Sequence, residues 1–232
     1  PPLVWHGHHG PTMPLCRPAV ADQSAILMDL VRGRSSVRQL RPDPVPQAVL
    51  ERAIEAAGWA PSPHGRQPWR FAIVEQAAAK ARLATMLAQS WHEQLALDGQ
   101  HEAVIQTRLR KSQARVAEAP VILVACLYLE ELDHYPDPDR QDAERIMAIQ
   151  SLGAAVQNAL LSIHADGYDA GWMCAPLFAP EVVQASLELA PGLIPHAMLP
   201  IGRRAVDPVR RPRLPVNELI VKWITEESGS KS

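Results

Sequence analysis

Arg34, Ser35, Ser36 and Arg38 combine guanidinium and hydroxyl groups in one short loop, which is the donor set a phosphate receptor requires. Guanidinium forks give charge-assisted, often bidentate bonds to phosphate oxygens, and hydroxyls add short bonds beside them. A solvated basic turn has the same composition, so the loop alone leaves both readings open. A second group, Arg203, Arg204, Arg210, Arg211 and Arg213, stands near the other end of the chain. In an extended Arg211-Pro212-Arg213 segment, period-two geometry turns both arginines to one side. Two such clusters converging on one dianionic phosphate make chemical sense. Nucleic-acid contact is the rival use, but the aromatic residues that stack on single strands are not interleaved there.

A third feature is the loop Pro61-Ser62-Pro63-His64-Gly65-Arg66-Gln67-Pro68-Trp69. Its prolines fix the backbone, so amides and carbonyls can face a flat ring without further ordering cost. A rigid turn with no ligand is the plainer alternative. Other chemistries lack their patterns. No GxGxxG, GxxxxGK[ST] or GxSxG occurs, and the acidic pairs Glu130-Glu131 and Glu226-Glu227 are only neighbours in sequence. His92, His134 and His164 are scattered, and the His6, His8, His9 run near the start reads as terminal sequence, so no metal site is expected. The three cysteines, Cys16, Cys126 and Cys174, show no ligand or disulfide spacing, which fits a reducing cytoplasm.

These residues need a frame. The 232 residues, 47% of them hydrophobic, suffice for one large domain with its own core. A formal net charge of −2 advertises neither nucleic acid nor an anionic membrane surface. The uncharged stretch from Ile146 to Ile163 holds Gln150, Gln157 and Asn158, too polar for a membrane span, and reads as a buried helix. Periodicity predicts helices over 24–33, with Gly33 as C-cap, from Pro46 to before Pro61, and over 77–118 with a break near Asp98-Gly99. It predicts further helices over about 142–166, where Gly153, Ala154 and Ala155 allow close packing, and over APEVVQASLEL. Strands are expected at 70–75, at 120–129 (a continuous apolar run), in GYDAGWMC and in HAMLPIG, before a Pro-rich tail with a last amphipathic piece. The expected organisation is a flexible N-terminal segment over 1–20, one origin for which is expression-vector sequence, an α+β domain over 21–225 and a tail over 226–232.

The three features, in this order, resemble the nitroreductase superfamily, over roughly residues 25–223. There an RRSxR-like motif, a PSxxNxQPW-like loop and a C-terminal basic-x-R-x-P element build one FMN site. The resemblance implies a central mixed sheet flanked by helices, an interlocked homodimer and FMN at the subunit interface. It implies that Arg34, Ser35 and Ser36, joined by Arg211 and Arg213, hold the phosphate and ribityl chain. Arg38 is expected near the N1/O2 edge of the ring. Pro61, Ser62, Pro63, His64 and Gly65 are expected to approach from the partner subunit, and the turn Cys174-Ala175-Pro176-Leu177 to cover the ring. The family loop has Asn where this chain has Gly65, which leaves His64 or a backbone amide to grip the ring.

Tyr135-Pro136-Asp137, Arg140, Asp142-Ala143-Glu144 and Gly153-Ala154-Ala155-Val156-Gln157 look closer to one branch. That branch is the FMN domain fused to the ligase that adds glutamates to the deazaflavin coenzyme F-420, here without the ligase. The implied activity is hydride transfer from reduced FMN to a planar, electron-poor substrate, such as a precursor of F-420. His64 is the candidate proton donor, and Arg66 and Arg140 are candidates for a substrate-binding rim. The rivals are a broad NAD(P)H-dependent reductase of nitro compounds, quinones or enones, and a non-catalytic flavin or deazaflavin carrier.

Overall fold

The sheet is built on Val121–Tyr128, where seven successive residues are buried. A strand covered on both faces has no polar side to show, which is why its sequence is continuously apolar. A computed structural model describes residues 20–130 and 132–224. The segment expected over 1–20, except Val20, lies outside the described residues, with its histidine run and Cys16. So does the tail over 226–232.

In chain order the helices are α1 (Val20–Gly33), α2 (Gln47–Gly58), α3 (Ala77–Leu97), α4 (Glu102–Ala117), α5 (Pro138–Ala165), α6 (Pro180–Leu187) and α7 (Val216–Leu219). The strands are β1 (Trp69–Val74), β2 (Val121–Tyr128), β3 (Asp169–Ala170) and β4 (Leu193–Gly202). The sheet order is β1-β2-β4-β3, and all three strand pairs are antiparallel. The mixed character expected of the sheet reduces to one parallel bridge, Ser36 to Ala170, at its β3 edge.

Alternation along β2 divides the core. Val121, Leu123, Ala125 and Leu127 face α2 and α5, whereas Ile122, Val124 and Cys126 face α3, the end of α4 and α6. Burial pushes the Cys126 thiol up to about 12. Val49, Leu50, Ala53 and Ala57 recur on one face of α2 and pack against α5, and Asn158 donates to the Ala56 carbonyl across the pair at 3.1 Å. Each buried branched side chain contributes about 1.5–3 kcal/mol.

α5 is the described helix long and apolar enough to cross a membrane, yet it is a core helix, burying nine residues that include Leu152, Ala155, Val156 and Ala159. It starts about four residues before the expected Asp142, because Asp137 caps it by accepting from the Arg140 amide at 3.0 Å and Pro138 suits the first turn. The close packing expected at Gly153 is not used within the chain, since a Cβ there would meet nothing within 4 Å. Glu144 is buried with both carboxylate oxygens lacking a hydrogen-bond partner, and nothing among the described residues accounts for it. The strand expected in GYDAGWMC shrinks to two residues, followed by a single bridge from Met173 to Met198.

Candidate functional site

The first arginine motif leaves the end of α1 and lies along the sheet edge. Val37 donates to Ala170 O at 3.1 Å, Arg41 to Arg203 O at 2.7 Å, and Ala205 to Gln39 O at 3.0 Å. Val37 turns inward and is buried, so the neighbouring Ser36 and Arg38 turn outward. Gly171 makes this approach possible, because a Cβ there would stand 2.8 Å from Val37 O. Gly33 is the last residue of α1, but its φ is not left-handed. What needs the glycine is His164, whose Nε2 would lie 2.6 Å from an added Cβ.

The other end of the chain returns to the same place. Arg204 grips buried Asp169 through Nη2 to Oδ1 at 2.7 Å and Nε to Oδ2 at 3.0 Å, and Arg203 stacks over Tyr168 at 4.6 Å. These two arginines are therefore anchors, although composition groups them with the others. Beyond them Arg210 donates to the carbonyls of Arg32 and Gly33, the latter at 2.5 Å. Those carbonyls are the negative end of α1, which would otherwise repel an anion. Arg210 neutralises it.

The result is an open cleft of about 800 Å³ lined by Arg34, Ser35, Ser36, Arg38, Arg211 and Arg213, among others. Asp207 is the one carboxylate in the lining, and it is bonded to Arg204 at 3.3 Å. The pKa of Arg34 is lowered, first by burial and then by Arg213 and Arg210. Cations crowd here without a matching acid. Ser35 Oγ is buried and has no partner among the described residues. An orphaned hydroxyl beside crowded guanidinium groups is what a bound phosphate group would satisfy, so the residues present fit FMN at its phosphate end.

Ser36, Val37 and Arg38 also border a second cavity of about 610 Å³. Its walls include Trp91, Gln94, Arg115, Trp172, Phe178 and the expected pair Cys174 and Ala175. Pro176 and Leu177 complete the short 3-10 turn but line neither cavity. Trp91, Arg115, Trp172 and Phe178 belong to no motif in the sequence. They come from α3, α4 and the segment around the turn, and no local spacing links them.

The loop after α2 stands elsewhere. Pro61, Ser62, Pro63, His64 and Gly65 line neither cavity, and His64 and Gly65 are exposed. Its backbone is unusual: His64 and Gln67 adopt φ of 53° and 51°, a conformation that costs a residue with a side chain about 1–3 kcal/mol. Ser62 Oγ holds the turn by accepting from the Gln67 amide at 3.0 Å. Arg66 pairs with Asp133, and His64 Nε2 lies 4.0 Å from the same carboxylate. Arg140 pairs with Asp137 at the start of α5 and lies over the Tyr135 ring at 5.2 Å. The two expected rim arginines therefore already hold carboxylates, and neither lines either of these two cavities.

The model of the Nitroreductase family matches residues 31–203, which span the first arginine motif and the loop after α2. A Thermus thermophilus protein named NADH dehydrogenase is 32% identical over 217 residues, 82% of this chain and 92% of the relative. Among solved structures, a BluB-like flavoprotein from Clostridium difficile is 25% identical, covers 86% of this chain and 99% of its own, and superposes with a TM-score of 0.71. A protein from Desulfovibrio desulfuricans solved in complex with FMN is also 25% identical, with 86% and 97% covered and a TM-score of 0.64.

Proposed function

The chain belongs to the Nitroreductase family, and from that premise we propose that it is an FMN-dependent oxidoreductase. In this reading NADH or NADPH supplies electrons, and a planar, electron-poor small molecule receives them. One observation carries it: two arginine segments from opposite ends of the chain meet at a cleft with a buried, unpartnered hydroxyl, next to an aromatic cavity. FMN, when bound, supplies hydride transfer at its ring, so no protein nucleophile is required.

The chain's residues then divide the remaining tasks. Arg34, Ser35, Ser36, Arg211 and Arg213 bind the phosphate end, while Arg210 cancels the charge of the α1 terminus. Arg38 borders both cavities and puts a fixed positive charge at their junction. A cation there favours the electron-rich reduced form of the ring. Cys174 and Ala175 flank the ring cavity, with Pro176 and Leu177 shaping their turn. Pro61 to Gly65 reach the site from a second copy of the chain, with His64 as the proton donor. To act on substrate, Arg66 and Arg140 would have to exchange Asp133 and Asp137 for a substrate anion. The unpaired thiols of Cys126 and Cys174 support a cytoplasmic setting.

The narrower role, reduction of an F-420 precursor, rests on Tyr135-Pro136-Asp137, Arg140, Asp142-Ala143-Glu144 and Gly153 to Gln157. Asp137 and Arg140 have a structural use as the start of α5, and the name of the Thermus relative favours the broader reductase. Anaerobic addition of NADH or NADPH to the purified yellow protein tests the reading. Rapid bleaching of the flavin band, then turnover of nitroaromatics or quinones, is expected. A flavin that stays oxidised under excess reductant would instead indicate a carrier.

A further inference from the structure

The second cavity contains a charge that the flavin reading leaves unused. Arg115, on the inner side of α4, is half-buried and lines this cavity together with Arg38. Burial is the main cause lowering its pKa, and the nearby Arg38 lowers it further. Among the described residues Arg115 makes no ion pair. Asp98, the one carboxylate in the lining, is exposed at the end of α3 and pairs with no cation there. Burying a guanidinium beside another cation is unfavourable unless an anion joins them.

The phosphate cleft does not meet this need, because Arg115 is absent from its lining. The surroundings of Arg115 describe the anion's scaffold. Trp91, Trp172 and Phe178 offer flat apolar faces, and Ser90, Gln94 and Ser112 offer hydrogen bonds around them. Trp172 and Phe178 are 38% and 72% exposed, more than aromatic residues with no partner to stack on usually are. We propose that the second cavity selects conjugated aromatic substrates bearing a carboxylate, with Arg115 as the residue that receives the carboxylate. The aromatic body shares this cavity with the flavin ring and stacks on it, with Trp91, Trp172 and Phe178 around the pair. The carboxylate reaches Arg115 at one end, which leaves the electron-poor part of the ring toward Arg38. This inference deepens the flavin reading and rests on it for the reduction step, but not for the charge preference.

Paired ligands that differ only in charge test it. 4-Nitrobenzoate and neutral 4-nitrobenzamide share shape and electron demand, and their binding is read by quenching of tryptophan fluorescence, with no turnover required. The purified protein is expected to bind the carboxylate at least tenfold more tightly. Arg115→Ala should abolish that preference, Arg115→Lys should keep most of it, and Arg108→Ala, on the exposed side of α4, should leave it intact. Equal affinities in the unaltered protein would overturn the inference, as would a preference that survives Arg115→Ala. Flavin content is read from the same samples. A colourless protein that still prefers the carboxylate sinks the flavin reading alone, and a yellow protein without the preference sinks only this one.

Discussion

Arg34 is held against its own preference, half-buried among other guanidinium groups and next to a hydroxyl with no partner among the described residues. Such an arrangement favours an anion that completes it, and residue chemistry alone makes that much legible: guanidinium and hydroxyl groups in one loop, alternating arginines in another. What sequence could not give was the sorting of the second group. Arg203, Arg204 and Arg210 look identical to Arg211 and Arg213 in composition, but they bind Tyr168, Asp169 and the end of α1. Nor could it give the reason for Gly33, which lies in a contact with His164 more than a hundred residues away. Gly33→Ala should therefore destabilise the fold by about 1 kcal/mol at most, since the imidazole tip can swing aside, and should weaken flavin binding by displacing Arg34. Thermal melts and flavin titration read both effects. Adding His164→Ala should restore part of each, and a double variant no better than Gly33→Ala would rule out the contact as the cause.

At the scale of elements, the strongly periodic segments were readable and the short ones were not. The break at Asp98-Gly99 and β2, buried in seven of its eight residues, follow from composition. The two residues of β3 do not, because they are a strand only by virtue of β4 and the Ser36 segment beside them. Nor does the second cavity, whose walls come from α3, α4 and the turn before α6. Burial of elements also sets a pH response. His164 on α5 and His196 on β4 both have pKa values below the ordinary 6.5, mainly through burial, with Arg145 adding to the effect at His196. Below about pH 6.5 the unfolded chain takes up protons at these sites before the folded chain does, so stability falls as pH drops through the lowered folded values. The melting temperature should decline between pH 7 and pH 5, and His196→Gln should shrink that decline. An unchanged slope in the variant would assign the decline to other groups.

Across the whole molecule, apolar side chains face outward along three regions. They are Ile26, Leu27 and Met28 on α1, Ile146, Met147 and Ile149 on α5, and the arm from Val209 to Ile224, where Val221 is 99% exposed. A surface this apolar is characteristic of an association face. The strained loop at His64 also lies away from both cavities of its own chain. The proposed second copy of the chain, with arms that cross and loops that complete each other's sites, would account for both observations. Ending the chain after Arg213 keeps the arginines and removes most of the arm, so sedimentation should shift toward monomer with loss of bound flavin. A truncated protein that stays dimeric and fully yellow would exclude the crossing arm.

The account depends most on Arg34 and Arg213 sharing a phosphate, and comparing FMN with riboflavin isolates that group. With charged hydrogen bonds each contributing about 1.5–3 kcal/mol, the protein should bind FMN roughly 100-fold or more tightly than riboflavin. An Arg34→Ala, Arg213→Ala double variant should lose most of that preference, keeping only what Arg211 and the serine hydroxyls supply. Equal affinities in the unaltered protein, or an FMN preference undiminished in the double variant, would contradict it.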